Sequence, residues 1–290
     1  MLRRFALVAL ALSALAPGAV AALPDRIDGT GIERLDEPSR AAAPAVRDVQ
    51  YPVAAECDLD TVRALATRHP DTRQLVVLGT DTFGSTIGSA FVAVQDLGGE
   101  WHCQTDTVTA RFGRSGTRPL LDRRSGDGST PAGVFPLGET TSWDGQIVNA
   151  FGNQPDPGVH SLVGYRSVQP EDCWGAIPGD ANYNKLVDLP GCTGPDNEWL
   201  QRFGDVYSHA AVIGANMDPI SGDSADEADV AYAAAIFLHR HSYDSNGSTR
   251  TTSGCVSVPI EELADIVTRL DPTLDPQFAI GPTGWLRTTA

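Results

Sequence analysis

From residue 74 onward the chain advances in short apolar runs, each halted by glycine, proline, aspartate or asparagine, and that rhythm admits few architectures. Gln74-Leu75-Val76-Val77-Leu78 halts at Gly79, and Ala90-Phe91-Val92-Ala93-Val94 halts before Asp96-Leu97-Gly98-Gly99. Trp101 to Phe112 alternates apolar and polar residues loosely; Tyr207 to Gly214, Ala233 to His241 and Cys255 to Val258 continue the series. Runs this short, rich in Val, Phe, Thr and Trp, read as strands. The expected fold is mainly β with a few short helices. One helix is expected from Asp58 to Arg68, capped by Asp58 or Asp60, with Val62, Leu65 and Ala66 on one face and His69-Pro70 ending it. A second starts at Pro259, carries Glu261 and Glu262 at its positive end, buries Ile260, Leu263, Val267 and Leu270, and stops at Asp271-Pro272. Gln277 to Ile280 is the last expected strand. Residues 140 to 205 have little periodicity and many turn residues, a long irregular segment of the kind that is usually functional or disordered.

Arg3 and Arg4, the apolar stretch Phe5 to Leu15 and the small residues Ala19-Val20-Ala21 read as a signal peptide over residues 1–22. The stretch is short for a membrane span, and Pro17-Gly18 breaks a helix ahead of the small residues. Residues 23–70 are expected to form a linker or N-terminal arm containing the first helix, and 71–290 one domain. The expected location is secreted, periplasmic or cell-wall associated, with no membrane span after cleavage. The formal charge is −16, and loss of Arg3 and Arg4 takes it to about −18. Such a surface repels phosphate backbones, so no nucleic acid is expected as a partner.

Export permits disulfides, and there are five cysteines: Cys57, Cys103, Cys173, Cys192 and Cys255. An odd number leaves one over. Cys173 and Cys192 bracket a loop rich in Gly, Pro, Asp and Asn with little apolar surface to hold it down. A bridge there would stabilise it by roughly 3 kcal/mol. Cys57 would then pair with Cys103, one of the three connectivities that four cysteines allow, and Cys255 would be the free thiol. The alternative is a bridged Cys255 with another cysteine to spare.

Cys255 follows Gly254 at the head of an apolar run, and His239 ends the run Ala234-Ala235-Ile236-Phe237-Leu238. The 15 residues between them include Asn246-Gly247, a turn signal that would make the two strands antiparallel neighbours. A thiol beside an imidazole is the equipment of thiol acyl transfer: the ring takes the proton and the sulfur attacks a carbonyl. The amides of Gly254 and Cys255 are candidate oxyanion donors. The bland alternative is a buried thiol and a strand-end histidine, and the pair alone divides evenly between the two.

Ile236-Phe237-Leu238-His239 followed by Thr252-Ser253-Gly254-Cys255-Val256-Ser257 resembles the signature of the L,D-transpeptidase catalytic domain family. Gly126 to Leu137, with Thr130-Pro131-Ala132-Gly133-Val134-Phe135, resembles that family's upstream element, and Tyr207 to Asn216 the strand before its histidine. Together these cover about residues 110 to 282 in the family's order. Ser253 stands where many members have a second histidine, Ser257 where Asn or Arg is common, and the histidine-to-threonine spacing is slightly short. Thr-Ser-Gly-Cys resembles a branch frequent among secreted actinobacterial-type sequences. The resemblance implies a β-sandwich or barrel, Cys255 as nucleophile and His239 as proton acceptor and donor. It implies a substrate as well, the peptidoglycan stem tetrapeptide, with a thioester on Cys255, release of D-alanine and transfer to an amine in a 3-3 cross-link. No cofactor or metal is expected. Hydrolysis on the same scaffold, as an L,D-carboxypeptidase or amidase, and a non-catalytic wall-binding module are the alternatives. A disulfide oxidoreductase is disfavoured because no Cys-x-x-Cys is present.

His241, two residues from His239 on the same strand face, is the rival base. It is a candidate accessory residue with Ser253 and Tyr207. His209 reads as structural, His69 as a surface residue at a helix end, and His102 and His160 have neither partners nor zinc-ligand spacing. Tyr183, Tyr207, Trp174 and Trp199 suit a groove but more often pack a core or loop. Asp244 can orient an imidazole, although a solvated turn is the simpler reading.

Overall fold

The computed structural model describes residues 55–217 and 233–290, apart from Ser125, Pro178 and Pro195. The expected signal peptide and residues 23–54 of the expected arm lie outside the described residues.

The strands in chain order are β1 Gln74–Thr80, β2 Ile87–Gln95, β3 Trp101–Cys103, β4 Val108–Arg111, β5 Thr117–Pro119 and β6 Thr130–Pro136. They continue with β7 Thr140–Thr141, β8 Ile147–Val148, β9 Ala150–Gly152, β10 Tyr165–Ser167, β11 Cys173–Trp174, β12 Leu186–Val187 and β13 Glu198–Trp199. The last four are β14 Ala210–Val212, β15 Phe237–Arg240, β16 Val256–Val258 and β17 Pro276–Pro282, with helices α1 Leu59–Arg68, α2 Ile260–Arg269 and α3 Thr283–Thr288. One mixed sheet runs β10-β9-β14-β15-β16-β4-β2-β1-β17-β6-β5, with β3 beside β2. The fold is mainly β and sandwich-like.

Strand alternation sorts the core into layers. Val76 and Leu78 of β1, Leu238 of β15, and Val256 and Val258 of β16 meet Leu263, Ile266 and Val267 of α2 in an inner cluster. Leu75 and Val77 point the other way and pack with Val62 and Leu65 of α1 and Leu286 of α3. Phe237 and Cys255 also turn outward, into a third cluster with Phe151, Trp174, Leu200 and Tyr207. A sequence of two-residue periodicity therefore puts the thiol and the inner core on opposite faces of one sheet.

Besides Ile260, which lies exposed at the start of α2 and not on its buried face, two features differ from the expectations. Helix α1 belongs to the body and not to an arm: Val62 and Leu65 are fully buried, and Cys57, just ahead of it, is bridged to Cys103. Asp58 caps it, accepting from the Thr61 amide at 3.1 Å, and also receives Arg287 of α3 at 2.7 Å. The second difference is that β15 and β16 are parallel, with Leu238 opposite Val256, His239 opposite Ser257 and Arg240 opposite Val258. The turn signal is genuine but local. Gly247, at φ 80°, closes a small hairpin bridged at Tyr243 and Thr249. The chain then runs back beside residues 112–114, where the Thr252 amide donates to the Phe112 carbonyl and the Arg114 amide to the Thr252 carbonyl, both at 2.9 Å. That return leg carries the chain to the start of β15, as a parallel pairing requires.

The long middle segment sends Phe151, Trp174, Leu186 and Leu200 into the third cluster and adds short strands and polar anchors. β11 pairs with both β12 and β13, and Cys173 is bridged to Cys192 with Cα atoms 5.7 Å apart. Buried Arg166 grips Asp172 through two bonds of 2.7 Å and reaches Asp144 at 2.8 Å. Removing either partner of such a pair leaves a buried charge alone, at a cost of about 3–5 kcal/mol.

Candidate active site

Cys255 is the free cysteine; the other four are bridged as Cys57–Cys103 and Cys173–Cys192. Its sulfur accepts from the Phe237 amide at 3.4 Å and donates to the Ala235 carbonyl at 3.3 Å. Ala235 has φ 52°, a left-handed conformation costing a non-glycine residue about 1–2 kcal/mol. This strained residue aims its carbonyl at the thiol. The Cys255 carbonyl is fixed from the other side by the hydroxyls of Thr252 at 2.6 Å and Thr130 at 3.2 Å. Thr130 also accepts from the Gly113 amide at 2.8 Å, which locks three separate segments around Cys255.

His239 shares the outward face of β15 with Phe237, and Cys255 directly precedes the register partner of Leu238. The imidazole is therefore one residue pair along and one strand across from the thiol, steps of about 6.6 Å and 4.8 Å. His241 lies a further pair away. The His239 Nδ1 is 2.7 Å from the Arg240 carbonyl, which can only accept, so Nδ1 carries the proton and Nε2 presents its lone pair. Burial pushes this imidazole down to about 4. Tyr207 stands edge-on to it with ring centroids 5.5 Å apart. His241 Nδ1 lies 2.9 Å from the Ser257 hydroxyl, and its ring faces Tyr243 at 6.2 Å. The register places His239, not His241, nearer the sulfur, although neither imidazole is a hydrogen-bond partner of the thiol.

The thiol is also held neutral. Burial, and after it the Glu198 carboxylate, push it above its ordinary value, while the Phe237 amide and Arg123 pull the other way. A raised thiol beside a lowered imidazole rests as thiol and neutral base, not as an ion pair. Attack then requires proton transfer as the sulfur–carbon bond forms.

The oxyanion expectation needs a correction at Gly254. Its amide donates to the Thr252 hydroxyl at 3.2 Å. A side chain here would meet the Ile236 methyl at 3.2 Å and the Arg123 guanidinium at 3.3 Å, so the glycine makes room for these neighbours. Ser253 is exposed, with its hydroxyl 3.5 Å from Arg114.

Of the expected groove aromatics, Tyr207 and Trp174 pack in the Cys255 cluster. Tyr183 donates to the Ala233 carbonyl at 2.7 Å and Trp199 to the Pro170 carbonyl at 2.7 Å. Asp244 accepts from the Asn246 and Ser248 amides and so shapes the hairpin. His102 pairs with Asp96 at 2.8 Å, His160 with Asp271 at 3.4 Å, and His209 with the Tyr165 hydroxyl at 2.9 Å. Among the described residues no three of His, Cys, Asp and Glu cluster as metal ligands.

Two residues the sequence did not single out join the site. Arg123 is buried beside Gly254 and lies 3.8 Å from Asp127. Glu198 accepts from the Tyr207 hydroxyl at 2.5 Å, and burial raises its carboxyl to about 7. Comparison with protein-family models, with curated proteins and with solved structures returns no match for this chain.

Proposed function

We propose that the protein is an exported cysteine acyltransferase of the L,D-transpeptidase type acting on peptidoglycan stem peptides. The observation that carries this reading is the free thiol on one sheet face with an imidazole whose Nδ1 proton is anchored, leaving Nε2 to act as base. The sequence resemblance supplies the substrate. Two disulfides fit an oxidising compartment, and no helix among the described residues is long and apolar enough to cross a membrane.

In the first half-reaction the thiol proton passes to His239 Nε2 as the sulfur attacks the carbonyl of the stem's third residue. The Cys255 amide is the remaining oxyanion donor of the two expected, worth about 2.7–4 kcal/mol to the tetrahedral intermediate. Its collapse expels D-alanine, whose nitrogen takes the proton from His239, and leaves the thioester. An amine from a second stem then displaces the sulfur.

Product analysis with a tetrapeptide muropeptide, with and without an amine acceptor, tests the proposal. The expected products are D-alanine and a dimer joined through the third residue. Tripeptide alone in the presence of acceptor indicates the hydrolase alternative, and no D-alanine from folded protein indicates a binding module.

A further inference from the structure

Glu198 is an acidic side chain outside the main sheet whose charge acts on Cys255. It belongs to β13, where its register partner is Trp174 of β11. The Trp174 ring packs edge-on against Phe237 at 4.9 Å, and the Phe237 amide holds the sulfur. Tyr207, whose hydroxyl donates to Glu198 Oε2, lies against both Phe237 and His239. The carboxyl thus reaches the thiol–imidazole face from the small disulfide-tied sheet opposite. Its charge is felt by the thiol itself. Among the described residues no cation pairs with it, whereas Asp172 and Asp127, other carboxylates held within the fold, each have an arginine. A carboxylate kept in a low-dielectric site without its own cation is ready for one brought by a ligand.

We infer that Glu198 receives the proton of the acceptor amine in the second half-reaction, so that the site takes a cationic primary amine in preference to water. This rests on the acyltransferase reading above. The ammonium gives one proton to the Glu198 carboxylate and becomes a nucleophilic amine. Its nitrogen attacks the thioester carbonyl; a carbon–nitrogen bond forms and the carbon–sulfur bond breaks. The second nitrogen proton passes through His239 Nε2 to the departing sulfur, restoring the thiol, and the Glu198 acid returns its proton to solvent. A carboxyl raised to about 7 is matched to this exchange near neutral pH. Tyr207 orients it.

The test compares wild type, Glu198→Gln and Glu198→Asp with a tetrapeptide donor and a second stem as acceptor. D-alanine burst rate reads acylation, and the ratio of dimer to hydrolysed tripeptide reads acceptor choice. Glutamine still accepts from Tyr207 but cannot take a proton. The dimer-to-tripeptide ratio is expected to fall about 100-fold, well beyond any change that loss of the carboxylate's charge beside Cys255 makes in the burst rate. Aspartate is expected to recover part of the ratio. An unchanged ratio in Glu198→Gln, or burst and ratio falling together by the same factor, overturns the assignment alone. A wild-type protein that forms no thioester overturns the acyltransferase reading and this assignment with it.

Discussion

At the residue scale the proposed chemistry turns on two groups that rest neutral. A thiol raised by burial has little thiolate at pH 7–8. Iodoacetamide alkylates the thiolate, whose share at a given pH drops by a factor of ten for every pH unit by which burial raises the thiol's midpoint. Cys255 is therefore expected to react at least about tenfold more slowly than a free cysteine. Mass spectrometry of the Cys255 peptide against time checks this; alkylation as fast as free cysteine contradicts the neutral pair. His239→Ala is expected to slow acylation by about 10²–10⁴-fold, and His241→Ala by no more than about threefold. The reverse order in single-turnover D-alanine release moves the base to His241. Cys255 is legible in the sequence because the odd cysteine count and its setting beside a glycine and a strand-borne histidine single it out. Glu198 is not. Nothing in Asn197-Glu198-Trp199 signals burial, and only the folded chain sets this carboxyl against Tyr207, nine residues later.

At the element scale the decisive feature is the parallel register of β15 and β16. Strand positions are legible because two-residue alternation is written locally, as in Phe237 outward and Leu238 inward. Relative direction is not, because Asn246-Gly247 reports only the turn it occupies, and nothing in sequence marks the return leg at Thr252. That leg is fastened by hydroxyls. Thr130→Val keeps the side chain's shape but leaves the Gly113 amide without its partner and removes one donor from the Cys255 carbonyl. The expected loss is about 1–3 kcal/mol in urea unfolding, with slower acylation as the nucleophile loses a restraint. Wild-type stability in this variant contradicts the role given to Thr130.

At the scale of the whole molecule, two buried titrating groups set opposing pH dependences. His239 is near 4 in the fold and 6.5 ordinarily, so between those values the unfolded chain binds the extra proton, and stability is lost as pH falls from about 6.5 to about 4. Glu198 is near 7 in the fold and 4.5 ordinarily, so the folded chain binds the extra proton, and stability is lost as pH rises from about 4.5 to about 7. From pH 4.5 to 6.5 the two offset. Relative to wild type, Glu198→Gln is expected to make stability climb more steeply with pH over that window and His239→Ala less steeply, each by up to about 1.4 kcal/mol per pH unit. Urea titrations at several pH values measure both, and equal slopes in the two variants contradict the assignments. The mainly β architecture is legible from the spacing of apolar runs. The small sheet around Cys173 is not, because its strands are two residues long and a disulfide and the buried Arg166 help hold it without a periodic apolar pattern in the sequence.

The most direct measurement is intact-mass and peptide mass spectrometry of folded protein after exposure to a stem tetrapeptide or a carbapenem, the latter a class with which members of the resembled family generally react. A covalent acyl adduct is expected on the peptide containing Cys255, and none in Cys255→Ala. A folded wild-type protein that stays unmodified, or an adduct retained in Cys255→Ala, contradicts that expectation.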